Sequence, residues 1–99
     1  MKKILVLAAA ALTTLAWATS ALEVTGVHVA GTQISVTLHN PSSVEESAAF
    51  RVTVSEAGGG QETLQSAAVT FVGGSTHTLT ATAAHTIVGI IDEPEPINP

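Results

Sequence analysis

The chain has no cysteine and no tyrosine, one tryptophan, two phenylalanines and three basic residues in 99 positions. Each scarcity closes a class of function. Without cysteine there is no disulfide staple, no thiolate nucleophile and no sulfur-liganded zinc site. Two of the three bases, Lys2 and Lys3, stand at the very start. Beyond the first apolar segment, Arg51 alone faces eight acids: Glu23, Glu45, Glu46, Glu56, Glu62, Asp92, Glu93 and Glu95. That leaves a net charge of −7 with the histidines neutral. Such a surface repels phosphate backbones and lacks a basic patch for anionic lipid, so nucleic acid is not an expected partner. No serine stands in Gly-x-Ser-x-Gly. The glycine-rich stretch Ala57-Gly58-Gly59-Gly60-Gln61 lacks the helix and the lysine that a phosphate-cradling loop requires. Neither catalysis nor a cofactor is expected.

What is present begins with an export leader. Lys2 and Lys3 form a basic n-region. Ile4 to Ala18 forms an apolar stretch interrupted only by Thr13 and Thr14, and Ala16-Trp17-Ala18 and Thr19-Ser20-Ala21 both offer small-x-small cleavage points. The run is shorter than the roughly 20 residues of a membrane span. Residues 1–21 are therefore expected to be a cleaved signal-peptide helix, with no stable membrane insertion afterwards and a periplasmic or secreted product. No cysteine follows the apolar stretch, which excludes a lipid anchor. About 78 residues remain, near the lower end of what folds alone.

In that remainder the hydrophobic period is two. Leu22 and Val24 share one parity and Val27 and Val29 the other, so a β-bulge at Gly26 would turn both pairs to one core. Ile34, Val36 and Leu38 alternate with polar residues, as do Phe50, Val52 and Val54. Leu64, Val69 and Phe71 mark further core faces. Turns fall at Ala30–Gln33, Asn40-Pro41-Ser42-Ser43, Ala57–Gln61 and Gly73-Gly74-Ser75. Val44 to Ala48 reads as a loop or short edge segment. Thr76, Thr78, Thr80 and Thr82 form an exposed file. Thr86-Ile87-Val88-Gly89-Ile90-Ile91-Asp92 is apolar on both parities, which predicts a strand in the middle of a sheet. No amphipathic helix interrupts the pattern. The fold class expected is an all-β antiparallel sandwich over residues 22–92, followed by an acidic, polyproline-like tail over 93–99.

Four histidines, 28, 39, 77 and 85, are the candidates for metal chemistry. None stands in His-x-His or His-x₃-His, so no metal site is assigned. One arrangement would make one: a hairpin of residues 76–83 and 84–91 places His77 opposite His85, with Asp92 or Glu93 as a third ligand if the chain folds back. His28 and His39 fall on polar faces. Asp92-Glu93-Pro94-Glu95 offers oxygens for calcium but lacks the glycine and alternating acids of a calcium loop. Glu45 and Glu46 read as a solvated loop.

Several stretches resemble bacterial CARDB-type, cell-adhesion-related domains. Val36-Thr37-Leu38-His39-Asn40-Pro41-Ser42 is similar to their strand ending in asparagine and a small-residue turn. Phe50-Arg51-Val52-Thr53-Val54 resembles the next strand, and Val72-Gly73-Gly74-Ser75-Thr76-His77-Thr78-Leu79 their glycine-serine turn and threonine-rich strand. Asp92 and Ile97 resemble their closing residues. The resemblance implies an immunoglobulin-like sandwich of about seven strands. It also implies a non-enzymatic binding or structural role in the cell envelope, toward another protein or a surface polymer. A small periplasmic metal binder and an exported protease inhibitor are the alternatives. The second rests on a fainter likeness of Asn40-Pro41-Ser42 and the Gly58–Gly60 loop to chagasin-type inhibitors.

Overall fold

The computed structural model describes residues 21–99, so the expected leader helix and its cleavage points lie almost wholly outside the described residues. Seven strands follow: β1 (Glu23–Ala30), β2 (Gln33–His39), β3 (Glu46–Glu56), β4 (Gln61–Gln65), β5 (Val69–Phe71), β6 (Thr76–Thr82) and β7 (Ile87–Ile97). They pair antiparallel in two sheets. One has the order β1-β2-β6. In the other β3 is central. β4 and β5 follow one another along one side of it, and β7 takes the opposite side. Ser66 bridges the break between β4 and β5: its N–H donates to Phe50 O and its Oγ accepts from Phe50 N, both at 3.0 Å. The all-β sandwich read from the alternation is the architecture observed.

The core is built from the alternating positions. Ile34, Val36 and Leu38 of β2 meet Phe50, Val52 and Val54 of β3, closed by Leu64, Phe71, Leu79 and Ile87. Phe50 and Phe71 are both fully buried. Burying such a side chain is worth about 1.5–3 kcal/mol, and in a chain with no cysteine this is the main source of stability.

Asn40 closes one end of the sandwich. It is fully buried, and its Nδ2 donates to Val44 O at 2.8 Å and to Phe71 O at 3.2 Å. Its Oδ1 accepts from Ser42 N and from Ser42 Oγ, each at 3.1 Å. Its backbone N–H donates to Ser75 O and its carbonyl accepts from Gly74 N, both at 2.9 Å. One side chain thus locks the β2–β3 loop onto the β5–β6 turn.

Four expectations are corrected. The Thr86–Asp92 run is not central: β7 is an edge strand, paired with β3 alone. Its two-parity pattern comes from bulges. Glu56 pairs with Ile87 and Ser55 with Gly89, so Val88 is an extra residue; Val54 pairs with Ile90 and Thr53 with Asp92, so Ile91 is another. Each extra residue resets the parity, which brings Ile87 and Ile90 to the same inner side. Second, the segment from Glu93 is not a solvated tail. β7 runs on to Ile97, with Glu95 opposite Arg51, Pro96 opposite Phe50 and a buried Ile97 opposite Ala49. Third, β3 starts at Glu46, inside the expected loop, and is buried on both faces at Ala48-Ala49-Phe50. Fourth, β6 and β7 belong to different sheets and form no hairpin.

Candidate functional site

Two edges of the sandwich lie on the same side. Ile87 N–H donates to Gly31 O at 2.9 Å, tying the start of β7 to the residue that follows β1, and the two strands are in contact. The bulge expected near Gly26 is present: Val24 pairs with Leu38 and Gly26 with Thr37, leaving Thr25 as the extra residue. Val24, Val27 and Val29 therefore lie directly opposite Leu38, Val36 and Ile34, all core residues. They face the inner side yet stay 39%, 44% and 36% exposed, because nothing described covers β1 on its outer flank. Val88, Ile90 and Ile91 of β7 are exposed as well. The result is an apolar margin shared by two edge strands.

The two edges are not equivalent. β7 carries three register shifts and two prolines, Pro94 and Pro96, devices that blunt an edge against pairing. β4 has five residues and β5 three. β1 has eight, no proline, one bulge and a single charge, Glu23, at its first position. β6, the other edge of the β1-β2-β6 sheet, has seven residues and likewise no proline and no register shift, so what sets β1 apart is the partial exposure of its inward-facing valines.

The residues singled out for metal do not converge. His77 sits near the start of β6, packed edge-on against Phe71 with ring centroids 4.9 Å apart. His85 lies beyond the far end of that strand, on the order of 15–20 Å of backbone away. Asp92 belongs to the other sheet, opposite Thr53. Among the described residues no group of three or more His, Cys, Asp or Glu is placed to hold a metal ion. His39 Nδ1 bonds Thr76 Oγ1 at 2.9 Å, and His28 is exposed on β1. Asp92, Glu93 and Glu95 instead rim an open groove of about 550 Å³ on the outer face of β3, together with Arg51, Thr53 and Thr63.

A second acidic feature was not read from the sequence. Glu56 and Glu62 both fall on the inner side, in register with core positions, at the end of the sandwich away from Asn40. Their carboxyls hydrogen-bond each other, and Glu62 Oε1 accepts the Ala84 N–H at 3.0 Å. The hydrogen bond to Glu62, then burial, raises the Glu56 pKa above the ordinary carboxylate value; the charge and backbone of His85 oppose this. The Ala84 N–H, then the bond to Glu56, lowers that of Glu62. Glu56 Oε2 is buried and no donor reaches it, as suits a carboxyl that carries the shared proton. The signal was in the alternation Phe50, Val52, Val54, which continues to Glu56.

Comparison with known proteins brings no family to this geometry: the chain matches no family model, no curated protein and no solved structure.

Proposed function

We propose that this is an exported, non-enzymatic binding module of the bacterial cell envelope that takes up an extended segment of a partner by strand addition. The observation that carries this reading is the unguarded β1 edge, whose three half-exposed valines face the inner side without a covering strand. Strand addition uses main-chain hydrogen bonds for affinity and alternate side chains for specificity. An added strand would supply both to β1. The basic n-region, apolar stretch and cleavage points of residues 1–21 support export. The residues quoted for the CARDB-type resemblance support the same class of role.

Photoreactive residues placed singly at Val27 and Val29, with Thr78 and Thr80 of β6 as controls, test it in a bacterial host producing the full chain. Adducts from β1 positions alone are expected, together with a mature mass that begins near Leu22. Adducts from β6 positions instead, or a full-length mature mass, would refute the corresponding half of the proposal.

A further inference from the structure

At the end of the sandwich away from Asn40, the connection from β6 to β7, residues 83–86, is fastened at three points. Ala83 N–H donates to Thr32 O at 2.7 Å, Ala57 N–H donates to Thr86 O at 2.8 Å, and Ala84 N–H donates to Glu62 Oε1 at 3.0 Å. These bonds tie it to the β1–β2 turn, to the β3–β4 loop and to β4. Glu56 lies beneath, 8% exposed, hydrogen-bonded to Glu62 and with a buried Oε2 that no donor reaches. His85, in the connection itself, is the one other titratable group beside the pair. The elements packed around it, residues 31–33, 57–61, 80–84 and 86–91, carry no ionisable side chain. With one proton between them the two carboxyls form a singly charged, internally bonded unit. Without it, two like charges face each other and the buried Oε2 is charged with no donor, which is costly until water reaches it.

We propose that residues 83–86 are a proton-operated latch: the connection lies closed over Glu56 and Glu62 while the two carboxyls share a proton, and lifts when that proton is lost. Its direction follows from Glu56, which holds its proton above the ordinary carboxylate range. The latch is closed in mildly acidic solution and opens as pH rises through that raised value. The charge of His85 opposes the proton on Glu56, so the histidine trims the switch rather than making it. Opening uncovers Ala83 and Ile87, both buried in the closed form, and releases the start of β7 from its tie to Ala57. The latch stands apart from the strand-addition reading, because it needs no bound segment.

Native-state amide exchange of the full chain, followed by NMR from mildly acidic to neutral pH and corrected for intrinsic exchange, tests it. The Ala84 and Ala57 amides are expected to lose at least about tenfold in protection over that range. At neutral pH they should exchange faster than the Asn40 amide, which is bonded at the far end of the sandwich. Glu56→Gln keeps a donor for Glu62 and has no proton to lose, so its protection at neutral pH should stay at the acidic level. Glu62→Gln keeps an acceptor for Ala84 and removes the second charge; it should weaken the dependence, and it serves as the test should the Glu56 variant not fold. His85→Gln should move the dependence to higher pH without abolishing it. Equal protection of Ala84 and Asn40 at every pH would mean that the whole sandwich opens together, and overturns the latch. A dependence that survives both carboxyl variants, or one that vanishes with His85→Gln, overturns it as well.

Discussion

Asn40 donates from its side-chain amide to the carbonyl of Phe71, 31 residues on, and so ties the end of β2 to a strand of the opposite sheet. Both residues are fully buried. Asn40→Ala leaves the carbonyls of Val44 and Phe71 and the Ser42 N–H without this partner. Of these the Phe71 carbonyl is the buried one; orphaning it costs about 1–3 kcal/mol, and a loss of about that size is expected in urea denaturation. Asn40→Asp keeps the acceptor but loses the donated bonds to the carbonyls of Val44, Phe71 and Val72 and buries a charge. It is expected to be no better than alanine.

Two adjacent glycines in the facing turn separate two physical causes. A Cβ on Gly73 would lie 2.8 Å from three backbone atoms of Ser43, whereas one on Gly74 meets nothing within 4 Å. Gly74 has φ of 79°, a region that asparagine tolerates. Gly74→Asn should therefore cost less than Gly74→Ala. At Gly73 asparagine should be at least as harmful as alanine, each costing about 1–3 kcal/mol, because backbone must move. Thermal melts of the four variants check this ordering. Equal rankings at both positions would refute it.

The carboxyl pair predicts a pH dependence. The fold favours protonated Glu56, so this stabilisation is whole below the ordinary carboxylate pKa and is lost as pH rises through the raised value. Glu62 acts with the opposite sign: its contribution is present above the ordinary value and is lost as pH falls through the lowered one. His85 is the other titratable group named beside the pair. Stability should thus be best at mildly acidic pH and decline toward neutral. Glu56→Gln keeps a donor for Glu62 at every pH and should flatten the decline on the neutral side. Melting temperatures across that range decide; a variant as steep as the wild type removes the pair as the cause.

The legible part of this molecule was the part where parity is uninterrupted. Ile34-Val36-Leu38 and Phe50-Val52-Val54 alternate cleanly, and each forms a core face. The sandwich class and both buried phenylalanines follow from such runs. What was hidden is hidden by bulges. In β7 an extra residue at Val88 and another at Ile91 give an edge strand the two-sided apolar pattern of a central one. The true centre, β3, is buried on both faces through Ala48 and Ala49, residues too small to stand out in a hydrophobic profile. The candidate binding edge was half legible. The bulge beside Gly26 was visible, but exposure of the valines depends on which strand ends up outermost, a property of topology rather than of local sequence. The Glu56–Glu62 pair needs the β3–β4 register, which a glycine-rich turn leaves open.

The edge assignment of β7 can be read from side-chain deletion. Ile34 is fully buried, and Ile34→Ala should cost about 2–5 kcal/mol. Ile91 is 45% exposed at a bulge, so the same substitution there should cost less than about 1 kcal/mol. Comparable losses at both sites would return β7 to the middle of a sheet.

The last prediction concerns the end of the chain. A solvated tail can be shortened without consequence, but residues 93–97 are paired with β3. Ile97 is buried opposite Ala49, and Asn98 Nδ2 donates to Glu46 Oε2 and Ser47 O, both at 3.0 Å. These contacts hold the first turns of β3, where Glu46 to Ala48 also pair with β5. Removing residues 97–99 takes away a buried aliphatic side chain worth about 1.5–3 kcal/mol and exposes Ala49. The loss should appear as a lower urea midpoint with nearly unchanged slope, since the rest of the sandwich still unfolds as one unit. Asn98→Ala alone should cost about 1 kcal/mol, because its two bonds are exposed and water replaces them in part. If the truncated chain melts with the wild type, β7 ends before its prolines, and the groove rimmed by Asp92, Glu93 and Glu95 loses the strand that positions it.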